Sequence, residues 1–272
     1  MNLKQAYSYA VHFLDLNNVD EADFKALCIV CHLAGIRNSQ YEQNLDAFIN
    51  MKRLADMLWR LKSNEPLQYV IGKWDFYESE FYVGKGVLIP RPETEELVEL
   101  AINDIKQLGD CVIYDLCSGS GCIGISIAKA CPNAFVYLVE KSDDALVYLT
   151  KNANNISNVK VIKGDILGLI DLPMADAIIS NPPYIKSDDI ASLQAEVLLE
   201  PKMALDGGND GLDFYRIIND IWKDSLKDNG YLYLEIGNEQ GEDIKSVLAD
   251  FKDVKVIKDM YGNDRMVTAR KG

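Results

Sequence analysis

Val112-Ile113-Tyr114-Asp115-Leu116-Cys117-Ser118-Gly119-Ser120-Gly121-Cys122-Ile123-Gly124 is the stretch on which the reading of the fold turns. An apolar run of strand character enters a loop with two glycines, and helical character follows to about residue 131. Gly119 and Gly121 permit a tight turn and let a ligand approach the backbone closely, and the helix that follows aims free N–H groups at whatever sits there. Glu140 ends the next apolar run, 19 residues after Gly121, where an acid accepts hydrogen bonds from both hydroxyls of a ribose. Taken alone the segment is ambiguous. Gly119-x-Gly121-x-x-Gly124 also fits a dinucleotide fingerprint, so an NAD-type dehydrogenase stays open beside a plain strand-to-helix turn.

Working outward, short apolar runs recur at 112–116, 134–139, 159–162, 176–180, 230–235, 254–257 and 265–269. Helical stretches lie near 122–131, 142–155, 212–227 and 239–250, and a further helix over 93–108 starts at Pro92 with Glu93, Glu95 and Glu96 in its first turn. Alternation of this kind predicts an α/β chain with a mostly parallel sheet covered on both faces. Its ligand site belongs at the carboxyl ends of the strands. From Trp74 to Leu88 aromatic residues recur around Glu78-Ser79-Glu80, as in two short strands about a turn.

Before that, residues 1–64 show only helical periodicity. Met51, Leu54, Leu58 and Leu61 form one stripe, and Phe13, Leu16, Phe24, Leu27 and the run from Ile29 to Leu33 suggest earlier helices broken near Asn17-Asn18 and Gly35. Residues 1–72 carry seven basic and eight acidic side chains, net −1, whereas the remaining 200 carry 21 and 34, net −13. The reading is a helical domain over 1–72, a hairpin linker over 73–92 and the main domain over 93–272.

The 272 residues are 48% hydrophobic and 26% charged, which excludes a disordered or fibrous chain. A net charge of −14 argues against a direct nucleic-acid grip and against anionic membranes. The first residues contain Lys4, His12 and Asp15 where a signal peptide needs an unbroken apolar run. The chain therefore reads as soluble and cytoplasmic. Its six cysteines fit reduced thiols, and Cys28-Ile-Val-Cys31-His32 reads as part of a helix rather than half of a zinc site, so no metal is expected. With His12 and His32 as the two histidines, both near the start, a Ser-His or Cys-His nucleophile is disfavoured.

The fourth run ends in Ser180-Asn181-Pro182-Pro183-Tyr184-Ile185. Two prolines fix the backbone and remove two donors, leaving carbonyls outward. Asn181 adds a side-chain acceptor and Tyr184 an aromatic face. A planar NH2 group finds there two acceptors for its two hydrogens and a ring to pack on. Asp165, after the third run, suits an adenine amino group with Ile166 packing on the ring, and reads as well as a simple cap or turn.

On these residues the chain resembles methyltransferases that move a methyl group from S-adenosyl-L-methionine to amide or exocyclic amino nitrogens. Further segments narrow the likeness: Glu65 to Gly72, Val87 to Glu95, Glu200-Pro201 with Ala204-Leu205, Gly207 to Leu212, Leu234 to Gly237 and Gly262 to Arg265. Together they resemble the release-factor glutamine methyltransferase (PrmC/HemK) family over nearly the whole chain. The resemblance implies a class I methyltransferase-like (Rossmann-like) fold with a seven-stranded sheet. It also implies N5-methylation of the glutamine in the Gly-Gly-Gln tripeptide of peptide chain release factors, with S-adenosyl-L-homocysteine as by-product. On that pattern the cofactor meets Cys117, Ser118, Gly119, Ser120, Gly121, Glu140, Asp165, Ile166 and Asn181, the substrate meets Asn181, Pro182, Pro183 and Tyr184, and Asn181 and Pro182 are catalytic. Two positions depart from it: Cys117 stands where the family usually has glycine, and Ile166 where some relatives carry an aromatic. Cofactor affinity and adenine stacking are expected to change accordingly.

The chemistry follows from the residues. An amide nitrogen is a poor nucleophile because its lone pair is delocalised into the carbonyl. Acceptors at the Asn181 side chain and the Pro182 carbonyl would fix that nitrogen in line with the methyl sulfonium and favour the charge that builds on it. The nearest rival keeps the loop and changes the substrate, an N6-adenine methyltransferase of DNA or RNA stacking a flipped base on Tyr184. The acidic charge and the absence of a Lys/Arg-rich stripe stand against it.

Overall fold

In the computed structural model, which describes all 272 residues, the chain forms two compact units. One comprises residues 1–73 and 194–199, the other 74–193 and 200–272. No helix is long and apolar enough to cross a membrane.

The first unit is helical: α1 (Leu3–Leu16), α2 (Ala22–Ala34), α3 (Met51–Lys62) and the short α4 (Leu67–Ile71). Asn2 caps α1 by accepting from the Gln5 N–H, and Gly35 ends α2 in the left-handed conformation. Leu3, Ala6, Ala10 and Leu14 of α1 face Ala26, Ile29 and Val30 of α2 and Leu54, Leu58 and Leu61 of α3 in one core. Leu16 and Phe24 lie on α1 and α2, as their spacing suggested, with their side chains at the surface. Cys28 and Cys31 are buried along α2. The buried Lys25 lies 2.5 Å from Glu196, a contact internal to this unit that ties 194–199 into it.

The second unit opens on a hairpin, β1 (Lys73–Phe76) and β2 (Ser79–Tyr82), followed by α5 (Pro92–Ile105). Strands and helices then alternate: β3 (Cys111–Leu116), α6 (Cys122–Ala130), β4 (Ala134–Glu140), α7 (Asp143–Ala153), β5 (Val159–Lys163) and β6 (Ala175–Ser180). The chain continues through α8 (Asp213–Ile217), β7 (Leu226–Glu235), α9 (Gly241–Val247), β8 (Phe251–Lys258) and β9 (Asp264–Lys271). Seven strands form one sheet in the order β5-β4-β3-β6-β7-β9-β8. The first five are parallel, and β9 runs antiparallel to both β7 and β8.

Both faces of the sheet are buried because successive side chains point to opposite sides. Ile113, Ala177, Ile179 and Tyr233 meet α5, α6 and α7 on one face, together with Phe76 and Phe81 of the hairpin. Tyr114, Leu116, Ile178, Leu232 and Leu234 meet α8 and α9 on the other. The expected helix over 212–227 is interrupted: α8 gives way to a π-helical turn at Ile218–Trp222 and a tight turn at Lys223–Ser225. The irregular turns bury Tyr215, Ile218 and Trp222 together, and the Trp222 indole donates to the Ile166 carbonyl at 2.9 Å. β7 begins at Leu226, ahead of the expected residue 230, with its register shifted opposite Ala175 and Ala177.

Candidate active site

The sheet order changes direction at β3, which has β4 on one side and β6 on the other. Loops leaving β3 and β6 therefore diverge and open a crevice between them. The register sets their level. Leu116 lies opposite Val139 of β4 and Ser180 of β6, and Ser180 lies opposite Leu234 of β7. One residue further, Glu140, Cys117, Asn181 and Glu235 stand in a row along the carboxyl edge.

A cavity of about 310 Å³ fills this crevice, within the range of small-ligand sites. Cys117, Ser118, Gly119, Ser120, Glu140, Asp165, Ile166, Asn181 and Pro183 line it. Three residues expected at the site lie outside that lining. Gly121, at φ +81°, is the turn residue before α6, and a Cβ there would sit 2.4 Å from the Leu149 side chain, so packing accounts for it. Pro182 is buried. Tyr184 turns its ring onto the core of the α8 face and its hydroxyl toward Glu235 at 3.3 Å, so its ring does not form a wall of the cavity.

The glycine loop is fastened by its main chain. Glu140 accepts the Gly119 N–H through Oε2 at 2.8 Å and the Ser142 N–H through Oε1 at 2.7 Å. Each oxygen keeps a lone pair for a further donor. Cys117 adopts φ +59°, the left-handed region that explains the usual glycine there. Burial pushes its thiol well up, with Glu140 and Asp115 adding to the effect. Asp165 accepts the Leu167 N–H at 3.1 Å and pairs with Lys141 at 2.7 Å. Its carboxylate is thus engaged as a turn residue at the rim of the cavity.

Residues that sequence reasoning passed over complete the site. Asp115 is fully buried behind the glycine loop, where its Oδ2 accepts the Gly124 N–H at 2.9 Å and its Oδ1 has no partner. Burial raises its carboxyl to about 7, against the pull of the Gly124 N–H and with the help of Glu140. Glu235 is buried at the end of β7, accepting Thr94 Oγ1 at 2.5 Å through Oε2. Asn181 Nδ2 in turn donates to Thr94 Oγ1 at 3.3 Å. Glu200, also buried, takes the Ile89 N–H at 3.0 Å and pairs with Arg91, which holds the segment 86–91 along the cavity wall. The signal for two of these was present: an acid inside or ending an otherwise apolar strand is costly unless it has work or partners.

The Asn-Pro-Pro-Tyr loop is clamped from behind. Gln240 Nε2 donates to the carbonyls of Tyr184 (3.0 Å) and Gly211 (3.1 Å), while its Oε1 accepts the Gly237 N–H at 2.8 Å. Gly207 passes so close that a Cβ would lie 2.7 Å from Tyr184 Cα.

An open sheet with a cavity at its direction change, a glycine loop beside an acid and an Asn-Pro-Pro-Tyr loop opposite defines the class I methyltransferases. The family model described as "Methyltransferase small domain" matches residues 97–209, and that described as "PrmC N-terminal domain" matches residues 5–72. A precorrin-6y C5,15-methyltransferase from Geobacter metallireducens shares the fold at a TM-score of 0.50 and 16% identity, covering 71% of this chain and 94% of that one. Two relatives are described as release factor glutamine methyltransferases. That of Thermodesulfovibrio yellowstonii is 38% identical over 89% of this chain and 90% of its own. That of Flavobacterium psychrophilum is 41% identical over 80% of each. The chain belongs to the release factor glutamine methyltransferase family.

Proposed function

We propose that this enzyme transfers a methyl group from S-adenosylmethionine to the side-chain amide nitrogen of the Gly-Gly-Gln glutamine of peptide chain release factors. The observation that carries the reading is the register of β3 against β6, which brings Asn181 to the same cavity as Gly119 and Glu140. A donor for methyl transfer and an acceptor set for a planar amide are thereby adjacent. S-adenosylmethionine, when bound, supplies an electrophilic methyl on a sulfonium that is already a good leaving group.

The cavity's own residues fit that group. Glu140 has lone pairs for two ribose hydroxyls, and Ile166 with Val139 offers an apolar wall for a base. Ser120 lines the cavity with a buried hydroxyl that has no protein partner, a group that calls for a ligand or water. Glu140 places a carboxylate beside the loop, which favours a cation in the cavity. Asn181 orients the substrate amide through Oδ1, with the Pro182 carbonyl as second acceptor, so that charge growing on nitrogen meets oxygens already in place. The 1–72 domain is the docking surface for the factor: Phe48 and Leu16 are 85% and 68% exposed there. Phe48→Asp or Leu16→Asp should then raise KM for whole factor and leave KM for a Gly-Gly-Gln peptide unchanged.

Labelled-methyl transfer to purified release factor, to its Gln-to-Ala variant and to DNA tests the reading. Label on the parent factor alone is expected. Label on DNA in place of the factor would favour the adenine-methylating rival.

A further inference from the structure

We infer that Thr94 and Glu235 are positioning residues that set which way round the Asn181 carboxamide faces, so that Oδ1 and not Nδ2 is offered to the substrate. The inference deepens the function proposed above and rests on it for the role of Asn181. It follows from counting hydrogens. An ionised carboxylate only accepts, and a threonine hydroxyl has one hydrogen. Thr94 spends that hydrogen on Glu235 Oε2 at 2.5 Å. Toward Asn181 its oxygen can then only accept, and it takes Nδ2 at 3.3 Å. A carboxamide held by its NH2 group on one side presents its oxygen on the other, and Asn181 lines the cavity. Reversed, the side chain would meet the substrate's NH2 donors with its own.

The placement is built in by the sheet, since Leu234 opposite Ser180 puts Glu235 beside Asn181. One carboxylate also governs the far end of the loop, because its Oε1 faces the Tyr184 hydroxyl at 3.3 Å. Around Glu235 stand Thr94 and Glu93 of α5, Tyr184 of the loop, Tyr215 of α8, Arg265 of β9 and, more remotely, Cys122 of α6. Tyr215 donates to the Glu235 main-chain carbonyl at 2.8 Å and leaves the carboxylate to the other two hydroxyls. Burial lifts the Glu235 carboxyl to about 7, opposed by Thr94, Arg265 and Tyr184. A protonated Glu235 would donate to Thr94, which would then donate to Asn181 and turn the carboxamide around. The transfer rate is therefore expected to rise with pH through the neutral range and to lose that limb in Glu235→Gln.

Thr94→Val keeps the shape and removes the relay, and Thr94→Ser keeps the hydroxyl. Thr94→Val should lower the single-turnover rate by about 10–100-fold at saturating S-adenosylmethionine with cofactor affinity retained, which also shows that it folds, and Thr94→Ser should restore most of the rate. A second readout needs neither cofactor nor substrate. Hydrogen exchange at the Asn181 side-chain NH2, assigned by NMR from its loss in Asn181→Ala, should be slow in the parent and in Thr94→Ser and faster in Thr94→Val. Parental turnover in Thr94→Val, a Ser variant no better than Val, or equal exchange in parent and Val would overturn the inference. If the parent methylates no release factor, the functional reading falls while the exchange comparison still decides the relay.

Discussion

The two loops that meet at the cavity are each backed by buried carboxylates, yet they are fastened in different ways. The loop after β3 is held through its main chain: Glu140 takes the N–H of Gly119, and Asp115 that of Gly124 in the first turn of α6 that follows. The loop after β6 is held in addition through its own side chains, Asn181 on Thr94 and Tyr184 on Glu235, while Gln240 takes its main chain at the Tyr184 carbonyl. A loop gripped by its amides leaves side-chain identity free wherever the backbone can adopt the shape. That is how Cys117 can occupy a glycine-like position. A loop gripped by hydroxyls and carboxamides depends on every one of them. Binding should thus be the property of the first loop and rate the property of the second.

The largest expected effect would break the second half of that contrast. Asn181→Ala removes an acceptor that matters most as charge develops, and turnover should fall on the order of 10²–10³. Asn181→Asp keeps an acceptor and should lose less. Single-turnover rates at saturating cofactor give the answer, and a parental rate in Asn181→Ala would end the amide-positioning mechanism.

Next in size is Glu140→Ala. Losing the two ribose hydrogen bonds proposed for it should cost roughly 1–3 kcal/mol of cofactor affinity, with turnover at saturation nearly unchanged. Calorimetry with S-adenosylmethionine measures it. Tight NADH binding with no response to S-adenosylmethionine would instead revive the dinucleotide reading.

Asp115 sharpens the comparison through pH. Its carboxyl is raised to about 7 in the fold, whereas an unfolded aspartate titrates near about 3.9. Between those values the folded chain holds the extra proton, so this residue's contribution to stability falls as pH rises through the window. Asp115→Asn should remove that decline. Between pH 5 and pH 8 the parent should lose up to about 2.7 kcal/mol more stability than the variant, read from urea midpoints. Equal pH dependence in both would place the extra proton elsewhere.

Smallest is Cys117→Gly. Relief of a left-handed non-glycine residue gains about 1–2 kcal/mol, and the flexibility of glycine in the unfolded chain takes back about 0.5–1. A net gain of at most about 1.5 kcal/mol is expected from thermal unfolding, against a loss in the β-branched Cys117→Val. A large loss in Cys117→Gly would mean that the thiol itself holds the loop.

The seven strands were legible because strands buried on both faces read as apolar runs, and the two loops were legible because they follow such runs. The irregular turn through Ile218–Trp222 was not, since a widened helical turn keeps nearly the same apolar spacing as a regular one. The placement of Tyr184 was not legible either, since the contact with Glu235 and the α8 core, both distant in sequence, set where its ring lies. Thr94 and Glu235 are 141 residues apart, and no periodicity announces a hydroxyl on a carboxylate. Only the packing of α5 against β7 brings them together.

That sheet also sets a timetable. β9 lies between β7 and β8, and β8 has no other partner strand. A chain emerging from the ribosome therefore has residues 251–258 ready before there is anywhere to put them, and β7 keeps an open edge until 264–271 arrive. The crevice between β3 and β6 draws on strands made much earlier, so its walls can be in place while the antiparallel end is still unfinished. A transcript broken between the codons for 258 and 264 would yield a protein with its cavity lined and a row of bare main-chain groups along β7. Such an edge invites pairing with another chain, so aggregation, more than lost chemistry, would mark that product.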